Sequence, residues 1–376
     1  DYNFRHTKDK FFVDTDIDVN GWYYDYKIED KLIRNSHDVK YGISYNKYET
    51  SFEVFNKHYF SNTAHSGDYS NIFPEAGFSL QLDRLADDLL YSHWNGHRLK
   101  LYGNIKRSIG EVALVDRNPA VLSTRGDFRN FQQYYEGFLT VFTDGVKPET
   151  YVKSEIGLNY ISPNHNFFIE LNGYNSNTHN LVTPVNNYFD FTMQNIGRLR
   201  SFGYFLDFTY RNGYNREWLI DIKYTFSQGK TKATAVYSDE EYIPLAGFGN
   251  IATVIAQGEP LGAIYGTSFR RNYERQMIID SNGYPEMDYN IKKIGDPTPD
   301  FITTLSPTIS YKRFTFNFIL EYRHGGDRWN GTKAIMDYYG VSKSTAKDRN
   351  IKQYVFEGVN NMGDRNTIPV DFYNPN

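Results

Sequence analysis

FITTLSPTISYKRFTFNFILEYR, residues 301–323, carries the pattern that decides the fold. In its second arm Phe314, Phe316, Phe318, Leu320 and Tyr322 fall on one face, and Thr315, Asn317, Ile319, Glu321 and Arg323 on the other. Successive side chains of a strand point to opposite sides, so this period-two alternation makes one face wholly apolar and the other mostly polar. A turn at Lys312–Arg313 separates it from a first arm, where Leu305, Ile309 and Tyr311 take the face opposite to Ser306, Thr308 and Ser310. The two arms read as a hairpin with one aromatic face and one face fit for water. A β-sandwich offers the same alternation, with its apolar face against a second sheet. The hairpin alone therefore leaves both readings open.

The spacing of the other strand candidates separates them. Trp22, Tyr24, Tyr26 and Ile28 alternate with Asp25, Lys27 and Glu29, and Val39, Tyr41, Ile43 and Tyr45 form the next run. Further runs lie near 50–60, 77–85 (Phe78, Leu80, Leu82), 98–107 (Leu99, Leu101, Ile105), 150–161 (Ile156, Leu158, Tyr160) and 167–175 (Phe167, Ile169, Leu171). Two more, near 194–210 and 217–228, place Tyr204, Leu206, Phe208 and Tyr210, then Trp218, Ile220, Ile222, Tyr224 and Phe226, on their apolar sides. Each run approaches the ~9–11 residues that a tilted strand needs to cross a bilayer. The connections are short near 46–49, 86–97, 163–166, 211–216 and 312–313. They are long near 29–38, 61–76, 108–149, 176–193 and 229–300, and the tail 324–376 adds another. Short turns on one side and long loops on the other mark an outer-membrane barrel; a sandwich has no reason to sort its loops. Segment 261–271 reads as a local strand inside the longest loop, and no linker divides the chain. The expected fold class is all-β, one domain, a transmembrane antiparallel β-barrel with long extracellular loops, with about eleven of its strands in this chain.

Composition agrees with that expectation. Of the 376 residues 33 are Tyr and 28 Phe, which suits strands. Mean hydropathy is −0.62. A hydrophilic average fits a barrel, because only alternate residues of the spanning part meet lipid. A net charge of −4 with no basic run leaves no electrostatic footprint for nucleic acid. The absence of cysteine excludes a disulfide scaffold and a zinc-thiolate site. No apolar run approaches the ~18–20 residues of a spanning helix. The chain begins Asp1-Tyr2-Asn3 without a basic-then-apolar leader, which reads as a partial or mature chain.

Three phrases surround the hairpin: Ile294-Gly295-Asp296-Pro297-Thr298-Pro299-Asp300-Phe301 before it, Tyr311-Lys312-Arg313-Phe314 at its turn, and Gly325-Gly326-Asp327-Arg328-Trp329-Asn330-Gly331-Thr332 after it. Others are Leu99-Lys100-Leu101-Tyr102-Gly103, Lys147-Pro148-Glu149-Thr150, Glu155-Ile156-Gly157-Leu158, Asn195-Ile196-Gly197-Arg198-Leu199-Arg200-Ser201-Phe202-Gly203 and Pro260-Leu261-Gly262-Ala263-Ile264-Tyr265-Gly266. In this order, across residues 99–332, they resemble the SusC/RagA family of TonB-linked outer-membrane transporters. Two departures stand out: Thr303-Thr304-Leu305-Ser306 occupies a place where the family usually has glycines, and Pro307 sits inside a strand. Proline cannot donate to a ladder, so a bulge or a locally unpaired point is expected there.

The resemblance implies a barrel of about 22 strands around an N-terminal plug. Residues 1–376 would be a middle-to-late barrel fragment, with the plug and the closing strands outside them. It further implies a Gram-negative outer membrane, with the loops extracellular, and import of large nutrients, glycan or peptide. The partners implied are a SusD-like lipoprotein lid, a TonB energy-coupling protein acting through the plug, and outer-membrane lipid. Lumen-facing Asp207, Asp221, Lys223, Glu321 and Arg323 would hydrate the path or contact the plug. Rival readings are a soluble or surface-exposed β-rich glycan-binding or glycan-degrading protein, and a SusC-like barrel serving as a scaffold in an envelope assembly.

Other constellations have plainer explanations. His93 and His97 have metal-like spacing but flank Trp94-Asn95-Gly96, a turn sequence. Asp14, Asp16, Asp18 and Asp25 resemble a calcium loop, yet Val19 stands where the loop needs glycine. Asp280, Asn282 and Gly283 read as a tight turn. The carboxylate pairs Asp87-Asp88 and Glu240-Glu241 are read as solvated surface, and no nucleophile or phosphate-loop motif accompanies them. Aromatics in the long loops (Tyr134-Tyr135, Phe138, Tyr188-Phe189, Phe248, Trp329, Tyr338-Tyr339) could stack on sugars or hold peptide side chains, but packing between loops is the plainer reading. Trp218, at a strand end, suits an interface girdle. The chain is thus read as a non-enzyme without cofactor, catalytic or metal site, and its substrate-contacting residues stay open.

Overall fold

The computed structural model describes the backbone of residues 2–19, 22–47, 50–65, 67–84, 95–110, 125–126, 134–135, 140–141, 146–186, 191–212, 217–237, 241–248 and 251–373. Side chains are described from residue 35 onward within these, except 62–69, 125–126, 134–135, 140–141, 184, 186, 191–193 and 248. The strands are β1 (Tyr2–Val19), β2 (Trp22–Lys47), β3 (Thr50–His65), β4 (Gly67–Gln81), β5 (Arg98–Gly110), β6 (Arg125–Gly126), β7 (Tyr134–Tyr135), β8 (Thr140–Val141), β9 (Glu149–Ile161) and β10 (Phe167–Asn186). They continue with β11 (Phe191–Asn212), β12 (Trp218–Val236), β13 (Tyr242–Phe248), β14 (Ile251–Ala256), β15 (Ala263–Phe269), β16 (Met287–Gly295), β17 (Pro299–Tyr311), β18 (Phe314–Asn317) and β19 (Leu320–Gly325), followed by helix α1 (Gly331–Tyr338). One large sheet runs β1-β2-β3-β4-β5-β9-β10-β11-β12-β17-β18, with β19 also paired to β17 and β8 to β11. Successive strands of that path are antiparallel neighbours, as hairpin-connected strands are. Strands β13 to β16 form a separate four-stranded sheet.

Register carries the two-faced pattern from strand to strand. Leu80, Leu101, Leu158, Leu171, Leu206, Phe226, Thr303 and Tyr322 are consecutive cross-strand partners from β4 to β19. One residue along each strand, the adjacent row reads Gln81, Lys100, Asn159, Glu170, Asp207, Thr225, Thr304 and Glu321. A slip of one residue in any pair would place polar groups in the apolar row, so hydrophobicity and register fix each other. The apolar face is bare: Ile43 and Phe314 are each 80% exposed and Ile156 57%. In a sandwich these side chains would be covered by a second sheet, so the sandwich reading does not hold. Among the described residues no helix is long and apolar enough to cross a membrane.

The structure corrects several sequence expectations. Residues 29–38 are not a loop; they lie within the 26-residue strand β2, paired with β1. Most of 61–76 is strand as well, in β3 and β4, and much of 176–193 belongs to β10 and β11. The run expected over 77–85 ends at Gln81. These three connections are thus largely strand extensions that pass beyond the apolar band. Segment 261–271 does form a local strand, β15, but it belongs to the four-stranded sheet.

Pro307 produces an unpaired point without a bulge. Thr308 pairs with Asn317 and Leu305 with Leu320 in one register, and the strand lapses only at Phe318–Ile319, between β18 and β19. The amide of Phe318 still reaches the Pro307 carbonyl at 3.4 Å. The N–H and C=O of a strand residue point the same way, so proline's missing donor faces β18–β19, while its pairing with Ile222 of β12 persists.

A packed core lies where the small sheet meets the large one. Ile196, Leu199 and Ala233 of β11 and β12 are buried together with Ile243 and Ile255 of β13 and β14. Beyond Ser227, strand β12 no longer pairs with β17. There residues 258–261 take over its edge: Gly258 N–H donates to Ala233 O, Ala233 N–H to Glu259 O and Leu261 N–H to Thr231 O. An exposed sheet edge is thereby covered.

The fold predicts an asymmetric response to charge. Leu171→Arg, on the apolar face, should cost about 2–4 kcal/mol in vesicle-reconstituted protein, whereas Thr225→Arg, on the polar face, should cost much less. Urea unfolding in lipid vesicles measures both.

Candidate functional site

The polar face brings together most of the residues expected to face water. Lys223 lies 3.2 Å from Asp207, and Arg323 2.7 Å from Glu321. Asp221 pairs instead with Arg211 at 2.6 Å, a partner the sequence reading missed. Arg211 and Asp221 are ladder partners, a signal visible only once the β11–β12 register is known. Nearby, the Tyr102 hydroxyl donates to Glu170 at 2.8 Å and accepts from Asn172 at 3.1 Å. These ion pairs are partly exposed, so they contribute little to stability and mainly set the charge pattern of a wet surface. Close approach is allowed by glycine: a side chain on Gly157 would collide with the Tyr102 ring, and one on Gly203 with β12 backbone. Around Gly77 a groove of about 510 Å³ opens, bordered by Glu53, Glu75, Glu155, Lys106 and Lys153.

At the long-loop end, family-like phrases meet at two interruptions of the ladder. The backbone N–H of Lys147 donates to the Asn195 side-chain oxygen at 2.7 Å, and the Asn195 amide donates to Lys147 O and Asn180 O, each at 2.8 Å. Asn180 has φ +57° and lies at the β10 bulge, where Val182 N–H donates to the Glu149 carboxylate at 2.8 Å. Side chains here replace the missing ladder partners. Across β17, Asp296 N–H donates to the Asp327 carboxylate at 2.8 Å and Asp327 N–H to Asp296 O at 2.6 Å. The phrases before and after the hairpin thus clasp each other.

Beyond the clasp, residues 270–286 and 354–370 are joined by a β-bridge, with Ile278 paired to Val359. Asn330 caps the N-terminus of α1 by accepting from Lys333 N–H at 2.9 Å. Its last turn is fixed by Asp337, which takes Lys333 and the hydroxyls of Ser342 and Ser344. The Lys333 ammonium first, then those hydroxyls, hold the Asp337 carboxyl well below the usual carboxylate range.

The remaining sequence candidates resolve plainly. His97 hydrogen-bonds Tyr160 at 2.8 Å, and His93 lies outside the described residues. Asp14, Asp16 and Asp18 are in β1 and Asp25 in β2, with Asp16 opposite Asp25, so the segment is a hairpin rather than a calcium-type loop. Asp280 accepts from Asn282 and Tyr284 N–H, each at 2.9 Å, as in a tight turn. Asp87, Asp88, Glu240, Phe138, Tyr188 and Phe189 lie outside the described residues, as do the side chains of Tyr134, Tyr135 and Phe248. Tyr338 and Tyr339 meet edge-on at 5.1 Å, and both are more than half exposed. Trp218 stands opposite Tyr311 with ring centroids 4.4 Å apart, beside the short turns.

Asp337 sets a pH window. A carboxylate with depressed pKa gives its full stabilisation above its unfolded value of about 3.9 and loses it as pH falls through the folded value. Amide hydrogen exchange, corrected for intrinsic rate, should show α1 and residues 339–345 protected from pH 7 to about pH 4, with loss only in stronger acid. Asp337→Asn should lose protection already at pH 7.

Comparison with known proteins agrees with this geometry. No family profile matches the sequence. The chain is 24% identical over 335 residues to TonB-dependent receptor P3 of Formosa agariphila, across 79% of this chain and 33% of that protein. It therefore spans about a third of the length of the curated relative it matches. Among solved structures it is similar to the RagAB peptide importer in the closed-closed state, with TM-score 0.58, 14% identity and coverage of 82% of this chain and 35% of that one. The RagAB peptide transporter matches with TM-score 0.58, 13% identity and the same coverage. The chain thus has the fold of TonB-dependent outer-membrane receptors, a stretch of transmembrane antiparallel β-barrel wall, and is similar to such a receptor in sequence.

Proposed function

We propose that the protein imports large nutrients across the outer membrane of a Gram-negative bacterium. The observation that carries this reading is the pair of adjacent rows, one apolar and bare, the other polar and rich in ion pairs. That arrangement suits a wall with lipid on one side and water on the other. Residues 1–376 form part of one receptor barrel domain, whose plug and closing strands lie elsewhere in the protein. An energy-coupling protein of the TonB type acts through the plug, and a SusD-like surface lipoprotein seats on the extracellular long-loop end. The cargo is peptide or glycan, and the likeness to RagAB favours peptide. The chemistry is binding and gating, with no bond cleaved.

Uptake of a fluorescent oligopeptide by cells carrying the natural full-length gene tests the proposal. Uptake should vanish on deleting the gene or the energy-coupling protein, and the purified protein should require detergent. Unchanged uptake in the deletion strain, or a soluble monomer without detergent, would contradict it.

A further inference from the structure

The four-stranded sheet contains a cleft of about 780 Å³ between β15 and β16, whose lining includes Phe269, Arg270, Arg271, Met287, Asp288 and Lys292. It opens because the pairing slips. Gly266 faces Lys292 and Ser268 faces Asp288, so Thr267 alone stands opposite residues 289–291. This spreads the strands without breaking the sheet.

The charges of the cleft do not balance. Arg270, Arg271 and Lys292 face one lining acid, Asp288, in a chain whose net charge is −4. Lys292 is matched by Asp288 at 3.0 Å, and Arg270 by Glu286 at 2.8 Å. The Arg271 guanidinium donates to a carbonyl, Arg275 O, at 2.7 Å and meets no carboxylate among the described residues. Its positive charge is unmatched. A further feature points to a ligand. Phe269 and Met287 stand directly opposite each other, and 51% and 39% of their surfaces are exposed.

We infer that this cleft binds an acidic peptide, with a carboxylate on Arg271 and an adjoining apolar side chain across Phe269 and Met287. Guanidinium and carboxylate form paired, charge-assisted hydrogen bonds. Met and Phe together make an adaptable apolar shelf. The one lining acid, Asp288, is already occupied by Lys292 at 3.0 Å and by Asn290 N–H at 3.1 Å, and so is not free to take a sugar's vicinal hydroxyls. The inference rests on the import reading and narrows its cargo.

The test uses the intact protein in detergent with two blocked tetrapeptides that differ only by glutamate against glutamine. The glutamate peptide should bind about tenfold more tightly. Arg271→Gln should abolish that preference and Lys292→Gln should weaken it, read as the ratio of the two peptides' affinities in each variant. The second variant lies apart from the 271–277 hairpin, so a local loss of structure at Arg271 cannot mimic the result. Equal affinity for the two peptides, a preference surviving both substitutions, or displacement of the glutamate peptide by oligogalacturonate at lower concentration would overturn the inference. Cellular uptake of the glutamine peptide tests import separately. Uptake without acid preference sinks only the cleft, and acid preference without uptake sinks only import.

Discussion

The structure depends on one constraint: a strand crossing lipid has no water for its backbone groups, so every N–H and C=O must find a partner in a neighbouring strand. An antiparallel ladder satisfies that demand and also aligns side chains across strands. Once Leu101 sits beside Leu80 and Leu158, Lys100 has to sit beside Gln81 and Asn159. The lipid face and the water face are therefore consequences of a single register, carried across the wall.

Departures from the ladder show the same constraint from the other side. Pro307 removes one donor, and the cost is confined to Phe318–Ile319 because the proline's carbonyl still accepts there. At the β10 bulge Asn195 and Glu149 supply side-chain partners, and along the far part of β12 residues 258–261 supply backbone ones. Some of the family-like phrases lie at these points: Lys147–Thr150 and Asn195 at the bulge, and Pro260–Leu261 along β12. There they solve a local pairing problem that alternation cannot solve.

This also explains what was legible in the sequence. Alternation in Tyr204–Tyr210 and Trp218–Phe226 located the spanning parts well, since one face meets lipid and the other water. It failed at residues 29–38, where both faces carry polar groups; periodicity reports what the faces touch, and the ladder continues after the contrast ends. It failed again at Ile251-Ala252-Thr253-Val254-Ile255-Ala256, which is apolar on both faces because both are packed, Ile255 against Ile196 and Ile243, Val254 against Ala263 and Tyr265. The ion-pair partners on the polar face needed the register, so Arg211 escaped notice although Asp221 did not. The cleft between β15 and β16 arises from a slip in pairing that the sequence does not announce.

Residues 1–376 contain no cysteine, so cysteines placed among them, in protein with any cysteine outside them replaced, make the central claim directly measurable. Single cysteines at 202 and at 204 to 209 on β11, each carrying an environment-sensitive fluorophore in protein reconstituted into vesicles, report which face meets lipid; Gly203 is left out because a side chain there meets β12 backbone. Labels at 202, 204, 206 and 208 should be quenched by a lipid-phase quencher and those at 205, 207 and 209 by a water-soluble one. Equal accessibility of both sets to the aqueous quencher would contradict the account.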